Sequence, residues 1–185
     1  MNLIVAVTGA SGSIYAKLLL DELYRFQSNG QVDHIDVVFS DKAKEVWAFE
    51  IGPFPDFPFI RYENDDFNAP FASGSSIYDV MVVCPCSMGT MGRIANGVAD
   101  SLITRAADMM LKERRRLILA IRETPVNLIH INNMQVLTQA GAIIAPASPS
   151  FYSHPKNVEE LAMTVVNRLL QLSGFIKVSF KWGGN

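Results

Sequence analysis

Arg122 and Glu123 stand side by side directly after the apolar run LILAI. A charged pair closing an apolar strand puts a cation and a proton-transfer group where a cleft needs them. Two other stretches, TGASGS at 8–13 and PCSMGT at 85–90, also follow apolar runs and lead into helix starts rich in hydroxyls and glycine. The free amides and positive dipole end of such a start suit a phosphate. Neither stretch is the dinucleotide fingerprint, because Ser11 stands where G-x-G-x-x-G needs its second glycine, and neither carries the lysine of a P-loop. Two hydroxyl-rich starts at neighbouring strand ends together describe a site for a phosphorylated ligand with polar edges, such as a flavin nucleotide. A fourth stretch, PASPSFYSHP at 146–155, offers the Tyr152 hydroxyl, and Arg168 on the last helix offers a second cation.

Each of these has a plainer reading when taken singly. TGASGS is also an ordinary strand-to-helix connection, and Ser87 an ordinary N-cap. Arg105, Asp108 and Lys112 fall at i, i+3 and i+7 and share one helix face, which equally describes a solvated ion-pair face. The two cysteines, Cys84 and Cys86 in VVCPCSMGT, suggest a redox pair or half of a metal site. A structural zinc site takes about four ligands, and His34, His130 and His154 are scattered. Cys84 therefore reads as a small core residue and Cys86 as a turn residue facing the other way. No metal is expected.

The elements that must position these residues follow from apolar patterning. Leu3–Thr8 reads as a buried strand, Ser13–Phe26 as an amphipathic helix, His34–Ser40 as a second strand and Asp41–Glu50 as a helix. The loop Gly52–Phe59 leads to a short extended piece, Ile60–Tyr62. Asp79–Cys84 is a third strand, which Pro85 is expected to end because proline cannot donate to a central ladder. Ser87 starts a helical segment and Asp100–Arg114 is a clear helix. Leu117–Ile121, Asn127–Ala140, Ala142–Ala145 and Asn157–Leu172 continue the alternation, with Asn157 and Glu160 as a capping pair. Continuous apolar strands alternating with helices predict a three-layer α/β fold, Rossmann-like or flavodoxin-like, with a parallel sheet flanked by helices. Ligands then bind beyond the carboxyl ends of the strands, where the four stretches stand.

The 185 residues suit one domain, placed at 1–175, followed by a C-terminal tail at 176–185. Charged residues make up 18% against roughly 25% in an average soluble protein, a deficit that hints at subunit interfaces. The net charge of -2 excludes bulk attraction to nucleic acid. No apolar run approaches the roughly 20 residues of a membrane-spanning helix, and MNLIVAVTGASGS lacks a basic leader region, so the cytoplasm is the expected compartment.

The ordered set TGASG, FASGS at 71–75, PCSMGT, ADSLITRAADMMLKERR, ILAIRETP and FYSHP resembles the flavin prenyltransferases, the UbiX family. The resemblance spans nearly the whole chain, and RAAD-x-x-LKERR followed by RE-x-P is its most specific part. It implies a dodecameric, metal-independent transferase that joins the dimethylallyl group of dimethylallyl phosphate to N5 and C6 of reduced FMN. The product, prenylated FMN, serves a UbiD-type decarboxylase. Carried over by motif, Gly9, Ala10, Ser11, Ser40, Ser87, Met88, Gly89, Thr90 and Arg122 hold FMN. Ser73 and Gly74 hold the prenyl phosphate with Lys112, Tyr152 and Arg168, and Arg105 reaches a neighbouring subunit's site. Glu123 is the acid–base residue, Glu50 a further contact, and Ser11, Arg122, Lys112 and Tyr152 complete the catalytic set. A dry aromatic cavity shelters the carbocation.

Phe67 departs from the family, which often carries Trp there, and bears on the choice between monophosphate and diphosphate donor. Lys181-Trp182-Gly183 resembles a family ending whose Trp covers a site. Two alternatives are an FMN-dependent cysteine decarboxylase and a non-catalytic FMN-carrier subunit of a decarboxylase. The former uses a histidine after the first strand and an Asn-rich motif, and GASGSIYAKLLL and PCSMGT supply neither.

Overall fold

Leu3 to Val7 and Val80 to Cys86 are buried at every position, which requires cover on both faces of the sheet. A computed structural model describes residues 1–55 and 58–175, so Lys181, Trp182 and the rest of the tail lie outside the described residues. The strands are β1 (Asn2–Val7), β2 (His34–Phe39), β3 (Ile60–Tyr62), β4 (Val80–Cys86), β5 (Arg116–Ile121) and β6 (Ile143–Ile144). They form one parallel sheet in the order β3-β2-β1-β4-β5-β6. The helices are α1 (Ser13–Ser28), α2 (Asp41–Glu50), α3 (Met88–Ala95), α4 (Leu102–Lys112), α5 (Leu128–Ala140) and α6 (Val158–Ser173). Leu19, Leu23, Trp47, Val166 and Leu170 bring α1, α2 and α6 onto one face. Met91, Leu102, Met110 and Leu137 bring α3, α4 and α5 onto the other. The predicted three-layer α/β architecture is the observed one.

Pro85 does not end β4. The strand runs through it to Cys86, and the register against β5 shifts between Val83 and Cys86, an irregularity of the kind that tolerates proline. That shift also separates the thiols. Regular pleating puts residues two apart on the same face, yet Cys84 lies in the core under α1 and α6, and Cys86 in the core under α3 and α4. Cys86 is thus a buried strand residue, not a turn residue. Burial pushes both thiols up, that of Cys86 to about 12.

Helix ends differ from the sequence expectation by a residue or two because the caps fall elsewhere. α4 begins after Ser101, whose hydroxyl accepts from the Thr104 amide in a capping box, and it stops at Lys112. α1 runs on to Ser28. Asn157 caps α6 as expected, accepting from the Glu160 amide at 2.8 Å. Among the described residues no helix is long and apolar enough to cross a membrane, and no cluster of His, Cys, Asp or Glu is grouped to hold a metal ion.

Aromatic packing pins α2 to the sheet. Phe39 and Phe54 both meet the Trp47 ring, at 5.7 and 5.1 Å between centroids, and each other at 4.6 Å. Phe39 and Phe71 are fully buried, so these rings serve packing and do not wall a ligand cavity. Trp47→Ala is expected to cost about 3–5 kcal/mol of stability, measured as a lowered urea midpoint followed by circular dichroism.

Candidate functional site

The sheet order reverses direction between β1 and β4, so the connections leaving these two strands diverge and open a crevice at their carboxyl ends. Thr8 joins the two ends. Its buried hydroxyl donates to the Pro85 carbonyl at 2.7 Å and accepts from the Ser87 amide at 2.8 Å, while its own amide reaches Pro85 at 3.2 Å. One residue on, Gly9 lies against the start of α2. A Cβ there would sit 2.5 Å from the Lys42 Cβ, so only glycine permits this approach.

Gly9, Ser40, Lys42, Ser87, Thr90 and Arg93 line a cleft of about 370 Å³, with Asn64, Ser101 and Thr104 on its α4 side. The volume falls within the roughly 300–1,000 Å³ typical of small-molecule sites. Ser40 caps α2 by accepting from the Ala43 amide at 3.1 Å, and Ser87 caps α3 by accepting from the Thr90 amide at 3.2 Å. The start of α4 is closed: the Leu102 and Ile103 amides donate to Asn64, and the Thr104 amide to Ser101. By contrast, the Asp41 and Lys42 amides of α2 and the Met88 and Gly89 amides of α3 have no hydrogen-bond partner among the described residues. Arg93 bridges to Asp100 at 3.3 Å and to the Gly89 carbonyl at 3.3 Å.

The start of α1, expected from sequence to suit a phosphate, is already occupied. The Glu50 carboxylate accepts from the Gly12 amide at 2.9 Å and the Ser13 amide at 2.8 Å. Burial pushes the Glu50 carboxyl up, but the hydrogen bonds from Ser11, Ser13 and Gly12 together outweigh it and hold it below its ordinary value. A carboxylate at this position repels a second anion. Beside it, the Arg122 guanidinium donates from Nε to the Ser11 carbonyl at 3.1 Å, and the Arg122 amide reaches the Cys86 carbonyl at 3.3 Å. Glu123 is exposed and accepts from the Thr124 amide at 3.0 Å. The Ala10 amide donates to the Thr8 carbonyl at 2.9 Å, and Met88 is buried in the α3 core.

The remaining candidates fall into two other groups. Arg105 donates from Nε to the Ala72 carbonyl at 3.1 Å, next to Ser73 and Gly74. Gly74 approaches the end of α4 so closely that a Cβ would meet the Glu113 carboxylate at 2.5 Å and Lys112 Nζ at 3.1 Å. Lys112 pairs with Glu113 at 3.5 Å and not with Asp108. On the other face, Arg168 borders a cavity of about 460 Å³ between α6 and the segment 145–155, where Tyr152 is exposed. Phe67 is half exposed. None of Lys112, Arg105, Tyr152 and Arg168 lines the strand-end cleft of its own chain. Sequence reasoning singled out TGASGS without giving Thr8 a role of its own, and it missed Lys42, Asn64, Arg93, Ser101 and Thr104. Of these five, the Ser101/Thr104 cap carried a local signal, and it was hidden behind Asp100.

Comparison with known proteins identifies the family. The family described as Flavoprotein matches residues 1–172. A flavin prenyltransferase UbiX of Methanocaldococcus jannaschii is 45% identical, with 99% of each chain covered. A crystal structure of AnUbiX in complex with FMN and dimethylallyl pyrophosphate is 38% identical with a TM-score of 0.92, covering 99% of this chain and 97% of that one. A dodecameric FMN-dependent UbiX-like decarboxylase from Escherichia coli O157:H7 is 36% identical with a TM-score of 0.92, and both chains are covered in full. The chain therefore belongs to the Flavoprotein family and, within it, to the UbiX flavin prenyltransferases.

Proposed function

We propose that this chain joins the dimethylallyl group of dimethylallyl phosphate to N5 and C6 of reduced FMN, giving prenylated FMN for a UbiD-type decarboxylase. The observation that carries this reading is the hydroxyl-lined cleft at the β1/β4 switch with the Arg122–Glu123 pair on the next strand end. The fit to FMN is chemical. Ser40, Ser87 and Thr90 supply hydroxyls, Lys42 supplies a cation, and the unpartnered amides at the starts of α2 and α3 suit the phosphate. Gly9 to Ser11, Met88, Gly89 and Arg122 border the rest of the ligand. Reduced flavin brings its own nucleophilic N5 and C6.

The chain's residues then serve the prenyl donor. When the allylic C–O bond breaks, its electron pair leaves with the phosphate, and Lys112, Arg105 and Arg168 stabilise the charge that develops. Ser73, Gly74 and the Tyr152 hydroxyl orient the phosphate, with Glu50 and Phe67 near the prenyl group. The first bond forms at N5, whose proton leaves to the released phosphate. A proton then added to the prenyl double bond creates the second electrophilic carbon. C6 bonds to it, and Glu123 accepts the proton displaced from C6. Because the phosphate-binding cations do not line the cleft of their own chain, neighbouring copies supply them. The dodecamer of the Escherichia coli relative supports this, as do Leu128 and Ile129, exposed on α5. A carrier or a cysteine decarboxylase has no use for this set of phosphate-binding groups. The expected compartment is the cytoplasm.

Anaerobic incubation with reduced FMN and dimethylallyl phosphate, followed by mass spectrometry of the released flavin, should show a gain of one C5H8 unit. Unmodified FMN with either the monophosphate or the diphosphate donor would sink the proposal. Glu123→Gln should retain FMN and slow product formation by roughly 10²–10⁴-fold, read from the same assay. Gly9→Ala should weaken FMN binding by about tenfold, or 1.4 kcal/mol, in a fluorescence titration. Since the Glu50 carboxyl is held low in the folded state, its stabilising contribution is present above about pH 4.3 and is lost as pH falls through the lower folded value. Glu50→Gln should therefore flatten the acid limb of a melting-temperature profile.

A further inference from the structure

Asp36 is a carboxylate in the middle of β2 with no solvent exposure, and none of the chemistry above uses it. The Tyr78 hydroxyl donates to its Oδ2. His34 Nε2 lies 2.9 Å from Oδ1 and forms an ion pair with it when the imidazole is protonated. Burial pushes the Asp36 carboxyl up, while the Tyr78 hydroxyl and the nearby His34 pull it back. A buried carboxylate without a donor costs several kcal/mol, so the Tyr78–Asp36 bond is held by strong physical demand. Its position in the fold gives that demand a use.

Tyr78 and Phe71 bracket residues 72–77, which include Ser73 and Gly74. Their rings meet edge to face at 5.6 Å, and Phe71 meets Tyr62 in the same way at 5.1 Å. The loop is thus closed at its base by two buried rings, one of which is tied to Asp36. From the α4 side, Arg115 Nη2 donates to the Gly74 carbonyl at 3.0 Å and Nη1 to the Ser76 hydroxyl at 3.2 Å. Arg105 holds the Ala72 carbonyl. Asn2 of β1 also holds the loop, its Nδ2 donating to the Ile77 carbonyl at 3.0 Å. Among the described residues, the Tyr78 tie is the one that reaches the sheet through a buried carboxylate.

We propose that Asp36, acting through Tyr78, is a positioning residue that fixes the Ser73–Gly74 loop for the prenyl phosphate. This rests on the reading of that loop as the donor site given above. Asp36 touches neither ligand. Its effect is to lower the population of loop conformations that cannot bind the phosphate, so its loss appears in donor binding and leaves bond-making alone.

The test uses the full chain with FMN bound and compares Tyr78→Phe and Asp36→Asn with the unaltered protein. Tyr78→Phe removes one hydroxyl and keeps the ring, so the Phe71 contact survives; Asp36→Asn keeps an acceptor for the hydroxyl. Thermal melts first check that both variants fold. For Tyr78→Phe, amide exchange of residues 73–77 should quicken about tenfold, and KM for dimethylallyl phosphate should rise by about the same factor, with kcat and FMN affinity unchanged. Asp36→Asn should show a smaller change in both readouts. Unchanged exchange in Tyr78→Phe would overturn the proposal, as would faster exchange with an unchanged KM or a fall in kcat alone. Should the unaltered protein make no prenylated flavin, the transferase reading itself fails, and the exchange measurement alone then decides whether Asp36 holds the loop.

Discussion

Everything at the carboxyl edge of the sheet depends on one buried hydroxyl. Thr8 is 1% exposed and sits where β1 and β4 part company, donating to one strand's carbonyl and accepting from the first amide beyond it. At this point the two chains leave the ladder that held them, and their polar groups would otherwise be buried without partners. An unsatisfied group of this kind costs about 1–3 kcal/mol. The hydroxyl removes that cost and, in doing so, sets the distance between the starts of α1 and α3. Gly9 fixes the third side by letting α2 come close. A hydroxyl-lined cleft is the geometric result.

The helix starts around the cleft are not equivalent. Glu50 closes α1, and Asn64 with Ser101 closes α4, while α2 and α3 each spend a serine on a later amide and leave the first two without a partner among the described residues. The aromatic trio of Phe39, Trp47 and Phe54 matters here, because it anchors the helix that carries Glu50 at its far end. Core packing on one face of α2 thereby decides the electrostatics at the start of another helix.

Much of this fold was legible in the sequence, for a simple physical reason. Strands covered on both faces must be apolar throughout, and such runs as Leu3–Val7 and Val80–Val83 have no other sensible reading. Caps were legible where donor and acceptor lie three residues apart, as for Asn157 and Glu160. What the sequence hid were contacts between residues far apart in the chain. Thr8 is visible in TGASGS, but its partner is Pro85; Gly9 owes its constraint to Lys42; and Glu50 finds α1 across 37 residues. Pro85 misled because a rule for regular ladders was applied where the register slips. The basic residues Lys112 and Arg168 were legible through the resemblance, yet a single chain keeps them on separate surfaces.

The carboxylate of Glu50 at the head of α1 has one more consequence. An elongated ligand with a negatively charged end meets two neighbouring helix starts, one already neutralised and one open. The Glu50 carboxylate disfavours that charged end at the start of α1, while the start of α3 favours it. The crevice thus has a polarity, set by a side chain that reaches it from the far end of α2.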